Sequence, residues 1–158
     1  MSNRLLQIFA GICAMALICM IAALSITGKP TQAPFVPPDF DATARKGQPE
    51  VPAALDWQTL DAQVFTVGIC GVLIPEESSV DIWLANPEDN AVWLKIRILD
   101  GSGAVLGESG LVRPGEYVQT VSLRTVPAPE TAVTLKIMAY EPDTYRSAGA
   151  VSLYAAIS

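Results

Sequence analysis

Histidine is absent from this chain of 158 residues, and cysteine is scarce. Without histidine the protein lacks the commonest general base and metal ligand, which excludes serine–histidine and cysteine–histidine nucleophile systems. Of the three cysteines, only Cys70 lies outside an apolar N-terminal stretch. The C-terminal part of the chain therefore cannot form an internal disulfide or a cysteine metal cluster. We expect Cys70 to be a small buried hydrophobe in a strand; a disulfide between two chains is the alternative.

Positive charge is also scarce, with ten Lys and Arg residues against sixteen Asp and Glu. From Trp57 onward, twelve acidic and six basic residues carry the whole net charge of −6. Binding to nucleic acid or to anionic lipid needs a basic surface, so neither is expected. The loop carboxylates at 76–77 and 88–89 are interpreted as solvated charge. An envelope hydrolase, which would need two apposed carboxylates, is therefore the least favoured hypothesis, and we expect no catalytic residue, cofactor or metal.

The one long hydrophobic run lies at the N-terminus, where Arg4 is the only charged residue before Lys29. As a helix, residues 5–26 would extend about 33 Å at ~1.5 Å per residue, against a bilayer hydrocarbon core of about 30 Å. We predict a cytoplasmic N-terminus at 1–4 and a transmembrane signal anchor at 5–26 in the cell membrane, with the C-terminal domain extracytoplasmic. A cleaved signal peptide ending near residues 23–25 or 26–28 is the alternative, and it sends the domain to the same side.

Residues 27–56 contain six of the twelve prolines. Proline fixes φ and removes a backbone donor, so this stretch cannot propagate a helix or a sheet. We predict an extended, semi-rigid Pro-rich extracytoplasmic linker in which Phe35, Val36 and Phe40 are exposed; packing of these side chains against another part of the protein is the alternative. Residues 57–158 follow, and about a hundred residues are enough for one domain and not for two.

Beyond residue 57, apolar residues recur at every second position, most clearly in residues 92–98 and 133–139. This alternation is typical of strands with one buried and one solvated face. Residues 55–62 are predicted to be a short helical turn or a leading loop, and residues 113–116 a β-turn with Pro second and Gly third. Seven strands are predicted, at residues 64–70, 79–85, 91–99, 104–107, 116–124, 132–140 and 148–156.

Seven short strands at this spacing indicate an all-β domain, as an immunoglobulin-like or fibronectin-III-like sandwich, with a small barrel as the alternative. Each buried aliphatic side chain contributes about 1.5–3 kcal/mol, so a core of this size needs no disulfide. The predicted core consists of Val80, Ile82, Leu84, Val92, Leu94, Ile96, Ile98, Val121, Leu123, Val133, Leu135, Ile137, Val151 and Leu153.

The outward faces of the third and sixth predicted strands carry the candidate binding residues, because successive side chains point to opposite faces of a strand. In an immunoglobulin-like sandwich these two strands are neighbours, so their outward side chains would form one exposed strip. Exposed aromatic side chains mixed with cations are typical of binding surfaces, whereas the alternative is a solvated sheet whose Lys and Arg stems cover the rings. The predicted strip is Trp93, Lys95, Arg97, Lys136, Met138 and Tyr140, with Tyr145 and Tyr154 as possible extensions.

Four short motifs stand out in the β region: Val67-Gly68-Ile69-Cys70-Gly71, Asn86-Pro87, Arg113-Pro114-Gly115-Glu116-Tyr117 and Tyr140-Glu141-Pro142-Asp143-Thr144-Tyr145. Through them the chain resembles, over about residues 64–156, a group of small uncharacterised exported or membrane-anchored β-sandwich proteins of Gram-positive, clostridia-like bacteria. The resemblance implies an outward location and a β-sandwich fold. It implies no catalytic or ligand-binding residue, because that group has no assigned activity.

Two functions fit this organisation. The leading hypothesis is a membrane-tethered extracytoplasmic β-sandwich that acts as a non-enzymatic protein-interaction or structural module of the cell envelope. The alternative is a cell-wall carbohydrate-binding module in which Trp93, Trp83 and Tyr140 stack on sugar rings. The two differ in whether these aromatic side chains share one face, since Trp83 could instead fill an edge of the core.

Overall fold

Ten β-strands and one short 3₁₀ turn make up the secondary structure of residues 35–158, the part of the chain that the computed structural model describes. The expected all-β class is confirmed for this part. The predicted cytoplasmic N-terminus at 1–4, the signal anchor at 5–26 and the first residues of the linker lie outside the described residues. Residues 35–158 contain no helix long and apolar enough to cross a membrane. The strands are β1 (Arg45–Lys46), β2 (Trp57–Asp61), β3 (Thr66–Cys70), β4 (Val72–Glu76), β5 (Ser79–Asn86), β6 (Trp93–Leu99), β7 (Val105–Glu108), β8 (Glu116–Ser122), β9 (Ala132–Tyr140) and β10 (Ser147–Ile157).

Backbone hydrogen bonds join these strands into one curled sheet in the order β1-β8-β5-β4-β10-β9-β6-β7, with β3 beside β5 and β2 beside β3. Neighbouring strands are antiparallel except β4 and β10, which run parallel where Val72 and Leu73 lie opposite Ala156 and Ile157. The second half of β4 pairs with β5 instead. Through β4, therefore, the sheet passes from one group of strands (β1, β8, β5, β3, β2) to the other (β10, β9, β6, β7).

The inward faces of both groups meet in a single apolar core. Twelve of the fourteen predicted core residues are buried, whereas Val151 and Leu153 of β10 are partly buried and lie against the core. Strand alternation explains this success, since β6 buries every second residue from Leu94 to Ile98. The core also contains residues outside the predicted set: Phe65, Val67, Ile69, Leu73, Val112, Val118, Ala139, Ala155 and Ile157.

The seven predicted strands correspond to β3 and to β5–β10, with ends that differ by at most two residues. Three strands were not predicted. The sequence of β4 is an apolar run without alternation and contains Pro75, while β1 is only two residues long. Residues 55–62, predicted to be a helical turn or a loop, contain the end of a 3₁₀ turn (Ala53–Leu55) and the whole of β2.

Part of the predicted linker lies within the compact unit Pro37–Ser158. The Asp41 backbone N–H donates to the Leu111 carbonyl at 2.9 Å, and the Gly110 N–H donates to the Asp41 carboxylate at 2.8 Å. A Cβ at Gly110 would lie 2.5 Å from the Asp41 backbone, so only glycine permits this approach. Strand β1 pairs with β8 a few residues later. Prolines prevent a continuous ladder here, but they leave room for isolated hydrogen bonds between them.

Candidate functional site

Strands β6 and β9 bring the predicted binding residues together as cross-strand pairs. Trp93 lies opposite Tyr140, Lys95 opposite Met138, and Arg97 opposite Lys136. The alternate residues on each strand are fully buried, so the paired side chains point outward. These buried residues are Leu94, Ile96 and Ile98 of β6 and Leu135, Ile137 and Ala139 of β9. We call this surface the β6–β9 face and define it by Trp93, Lys95, Arg97, Lys136, Met138 and Tyr140.

A carboxylate on the neighbouring strand organises the cations of this face. Glu108 of β7 lies opposite Arg97. Its Oε2 accepts a hydrogen bond from Arg97 Nε at 3.0 Å and lies 3.2 Å from Lys95 Nζ, while its Oε1 lies 3.5 Å from Arg124 Nη2. Three cations therefore share one anion, and Glu108 fixes the positions of the Lys95 and Arg97 side chains.

The pKa of Glu108 lies below its ordinary value of 4.5. Partial burial by itself raises the pKa of this carboxyl group. The hydrogen bonds from Arg97 and Lys95, together with the positive charges of both residues, act in the opposite direction and outweigh burial. Glu108 is therefore ionised at neutral pH and remains a permanent part of the face.

Positive charge nevertheless exceeds negative charge at this surface. Lys136 is exposed, lies directly opposite Arg97, and has no ion-pair partner among residues 35–158. Like charges on directly opposed residues repel each other unless an anion lies between them. Lys95, Arg97 and Arg124 already share Glu108, so Lys136 adds positive charge that this carboxylate does not contact, on a chain whose net charge is −6. An acidic ligand placed over Arg97 and Lys136 would relieve this repulsion.

The aromatic end of the face is partly covered. The Phe40 ring contacts Trp93 edge-on with a centroid distance of 4.8 Å, and Tyr145 contacts the same indole at 5.2 Å. The Arg113 guanidinium lies 3.5 Å from the centroid of the Phe40 ring. The prediction that Phe40 is an exposed linker side chain is thus wrong, because cation–π and edge-to-face contacts hold it on the sheet.

Tyr140 and Met138 complete the face between the aromatic end and the cations. Both side chains are half-buried, and the Tyr140 hydroxyl donates to Met138 Sδ at 3.7 Å. Tyr154 of β10 lies opposite Thr134 and is 82% exposed, so it stands at the far end of the same outward surface. Tyr145, by contrast, is a cover for Trp93 rather than an extension of the strip.

Trp83 does not belong to this face. It lies on β5, is only 9% exposed, and forms a small apolar cluster with Leu55 and Cys70. Its φ of 49° and a register shift in the pairing of β5 with β8 mark a β-bulge, which directs the indole toward Leu55. The Tyr117 ring stacks against it at 6.3 Å. The carbohydrate hypothesis required Trp83 beside Trp93, and the structure separates them, whereas the alternative that Trp83 fills an edge of the core is correct.

Cys70 is a free, fully buried thiol in that cluster, which confirms the expectation of a small buried hydrophobe. Burial raises its pKa to about 11, and the charges of Asp81 and Asp56 add to the effect. The thiol is therefore protonated at neutral pH and shielded from solvent, so neither nucleophilic chemistry nor pairing with another chain is available to it in this conformation.

Two members of the site were missed by reasoning from the sequence. Glu108 lies at the end of a four-residue strand with no clear alternation, and only the β6–β7 register reveals that it lies beside Arg97. Phe40 is distant in sequence from Trp93, so no local signal links them. Residues 35–158 contain no group of three or more acidic, Cys or His side chains that would hold a metal ion.

Comparison with known proteins adds no relative: neither a protein-family model nor a curated protein matches this chain.

Proposed function

We propose that this protein is a membrane-tethered, extracytoplasmic interaction module of the cell envelope, without enzymatic activity, whose β6–β9 face binds an acidic surface of a partner protein. The observation that carries the proposal is the contact of three cations with Glu108 and a fourth, Lys136, opposite Arg97, on a strongly acidic chain. Tyr140 and Met138 lie on the same face. Arg, Tyr and Met are enriched in protein interfaces, and complementary charge steers association.

The proposal includes an immunoglobulin-like or fibronectin-III-like sandwich. Two features of the strand order support it. The first is that the strands fall into two antiparallel groups. One group runs in the order β10-β9-β6-β7, and the other runs in the order β8-β5-β4. The second is that β4, which pairs with β10 over its first residues and with β5 over its last ones, joins the two groups of strands.

Membrane tethering rests on the sequence. Twenty-two residues at 5–26 are long and apolar enough for an anchor, and the Pro-rich stretch after them would hold the domain clear of the bilayer. The intact mass of the protein recovered from membranes tests this part. A mass that includes residues 1–26 supports the anchor, and a mass that lacks them replaces it with a cleaved signal peptide.

Site-specific photo-cross-linking in intact membranes tests the interaction face. A photoreactive amino acid at Met138 should yield a discrete protein adduct, whereas the same group at Val126, which is 42% exposed in a loop, should not. Lys136→Glu should reduce the adduct at Met138, because it reverses the charge that no ion pair neutralises within residues 35–158.

Arg45→Glu provides the matched control, because Arg45 is an exposed cation of β1 away from the β6–β9 face. It makes the same change in net charge, and the adduct at Met138 should persist. If Met138 gives no adduct, or if Arg45→Glu and Lys136→Glu lower the yield equally, the face is not a specific interface.

A further inference from the structure

A cleft of about 590 Å³ opens on the other group of strands and shares no residue with the β6–β9 face. It is lined by residues of β2, β3 and β5, by the segment 46–49 and by the turns at 86–88 and 114–115. Segment 46–49 and the second turn are neighbours, since the Gly47 N–H donates to the Gly115 carbonyl at 2.9 Å. Ligand sites in proteins commonly enclose about 300–1,000 Å³, so the cleft has the size of a small-molecule site.

The floor of this cleft is made of small residues. Gly68 of β3 lies directly opposite Ala85 of β5, and both residues line the cleft. The Trp57 indole lies across Gly68, where an added Cβ would collide with its six-membered ring. Trp57 is nevertheless 37% exposed. One face of the indole therefore rests on the sheet, and the ring still offers surface to the cleft.

The walls combine rigid and polar elements. Three prolines line the cleft (Pro49, Pro87 and Pro114), and the turn that follows Pro114 places Gly115 at a φ of 74° with a Glu116 N–H to Arg113 carbonyl hydrogen bond of 3.1 Å. This geometry matches a type II turn, as the Pro-Gly order predicts. Such constrained backbone costs little entropy to hold in a binding conformation.

Four polar side chains line the same cleft without using their hydrogen-bonding capacity inside the protein. Lys46, Gln48, Thr59 and Glu88 make no side-chain hydrogen bond or ion pair to another residue of the described part of the chain. Ammonium, amide, hydroxyl and carboxylate groups together supply donors and acceptors in the cleft that the Trp57 ring also lines. Their charges cancel, because Lys46 and Glu88 carry one of each sign.

We propose that this cleft is a saccharide-binding site in which the apolar C–H face of a pyranose ring stacks on Trp57 and its hydroxyl groups bond to Gln48 and Glu88. A sugar ring presents a flat apolar face surrounded by hydroxyl groups, and a cleft lined by an indole and by amide and carboxylate groups offers a partner for both features. The balanced charge of the cleft fits a neutral sugar. The site is independent of the protein interaction proposed for the β6–β9 face.

A proline-rich peptide is the competing ligand, since such peptides dock in grooves lined by aromatic rings. A run of prolines, however, has backbone carbonyls but no N–H donor, so it would cover Glu88 without a hydrogen bond to its carboxylate, which is unfavourable. The hydroxyl groups of a saccharide donate as well as accept. The observed polarity of the walls therefore favours the sugar.

Calorimetric titration of the full-length protein in detergent tests the site, with chitotetraose, cellotetraose and decaproline as probes. At least one tetrasaccharide should bind saturably at low millimolar concentration. Trp57→Ala should weaken that binding by about tenfold or more, because a central aromatic residue carries much of the energy of a site. Gln48→Ala, in an exposed segment, should weaken it by about fivefold, the effect of one lost hydrogen bond.

Tyr154→Ala is the matched control, because it removes an exposed aromatic ring from another surface and should leave the affinity unchanged. Gln48→Ala keeps the test informative if Trp57→Ala impairs folding. The proposal is overturned if neither tetrasaccharide binds, if Gln48→Ala binds as the wild type does, or if decaproline is the only probe that binds.

Discussion

Replacing Glu108 by Gln removes the anion that Lys95, Arg97 and Arg124 share, while the shape of the side chain is kept. The three pairs are unequal, because the Lys95 side chain is 12% exposed and that of Arg124 is 67% exposed. Exposed ion pairs contribute about 0.2–1 kcal/mol each, and the more buried Lys95 pair lies at the upper end. Glu108→Gln should therefore lower the free energy of unfolding by about 1–2 kcal/mol at neutral pH.

The pH dependence of this loss follows from the direction of the pKa shift. The pKa of Glu108 is lower in the folded protein than its ordinary value of 4.5. Its contribution to stability is thus fully present above the unfolded pKa and is lost as the pH falls through the folded pKa. The difference in stability between wild type and Glu108→Gln should accordingly be largest at neutral pH and should disappear in acid.

Urea unfolding followed by tryptophan fluorescence at a series of pH values measures this difference. Glu50→Gln is the control, since Glu50 is an exposed carboxylate with no ion pair among the described residues. A difference of equal size at neutral and acid pH would refute the electrostatic explanation. The same variant raises the positive charge of the β6–β9 face, so it should strengthen cross-linking to an acidic partner while it weakens the fold.

Three further predictions concern the framework of the fold. Asn86 is 1% exposed and its amide donates to the carbonyls of Val92 and Val112 at 2.9 Å each, so Asn86→Ala should cost about 2–4 kcal/mol in urea unfolding. A loss in the free energy of unfolding of less than about 0.5 kcal/mol, the usual effect of a surface substitution, would show that this amide does not stabilise the fold. Cys70, with the other two cysteines replaced by serine, should resist thiol reagents at neutral pH in the native protein and react in denaturant; rapid labelling of the native protein would show that the thiol is accessible. Phe40→Ala should cost about 1–3 kcal/mol of local stability and increase hydrogen–deuterium exchange in the neighbouring backbone, whereas unchanged exchange would mean that the ring does not hold this segment.

The strands that could be predicted from the sequence are those with one face in the core and one outward. In β6 and β9 the alternation separates the buried side chains from the outward ones, although Ala139 is not in the predicted core. The pairing of Arg97 with Lys136 needs the register as well, because a two-residue slip would change it without altering the alternation. Strand β4 lacks this signal. It pairs first with β10 and then with β5 within five residues. Its side chains therefore do not alternate between one buried face and one solvated face.

The candidate site could be predicted only in part, because the sequence pattern carries no information on contacts between distant segments. Periodicity shows which side chains point outward, but it does not show what covers them. Trp93 points outward as predicted, yet Phe40 and Tyr145 lie on it. Trp83 interrupts the alternation of β5, because a residue with φ of 49° at a bulge leaves the regular two-residue period. Contacts over long sequence separations decide both cases.

The predicted linker thus determines which tryptophans are available to a ligand. Leu55 and Val51 cover Trp83, and Phe40 covers part of Trp93, while Trp57 keeps an open ring beside the cleft. A covered aromatic ring cannot serve as a stacking platform, so the β6–β9 face is left with charge as its main means of recognition. The cleft differs in both respects, because it has an exposed aromatic ring for stacking and its charged side chains, Lys46 and Glu88, cancel. Substitutions on one surface should therefore leave binding at the other unchanged, and this independence is what two separate sites require.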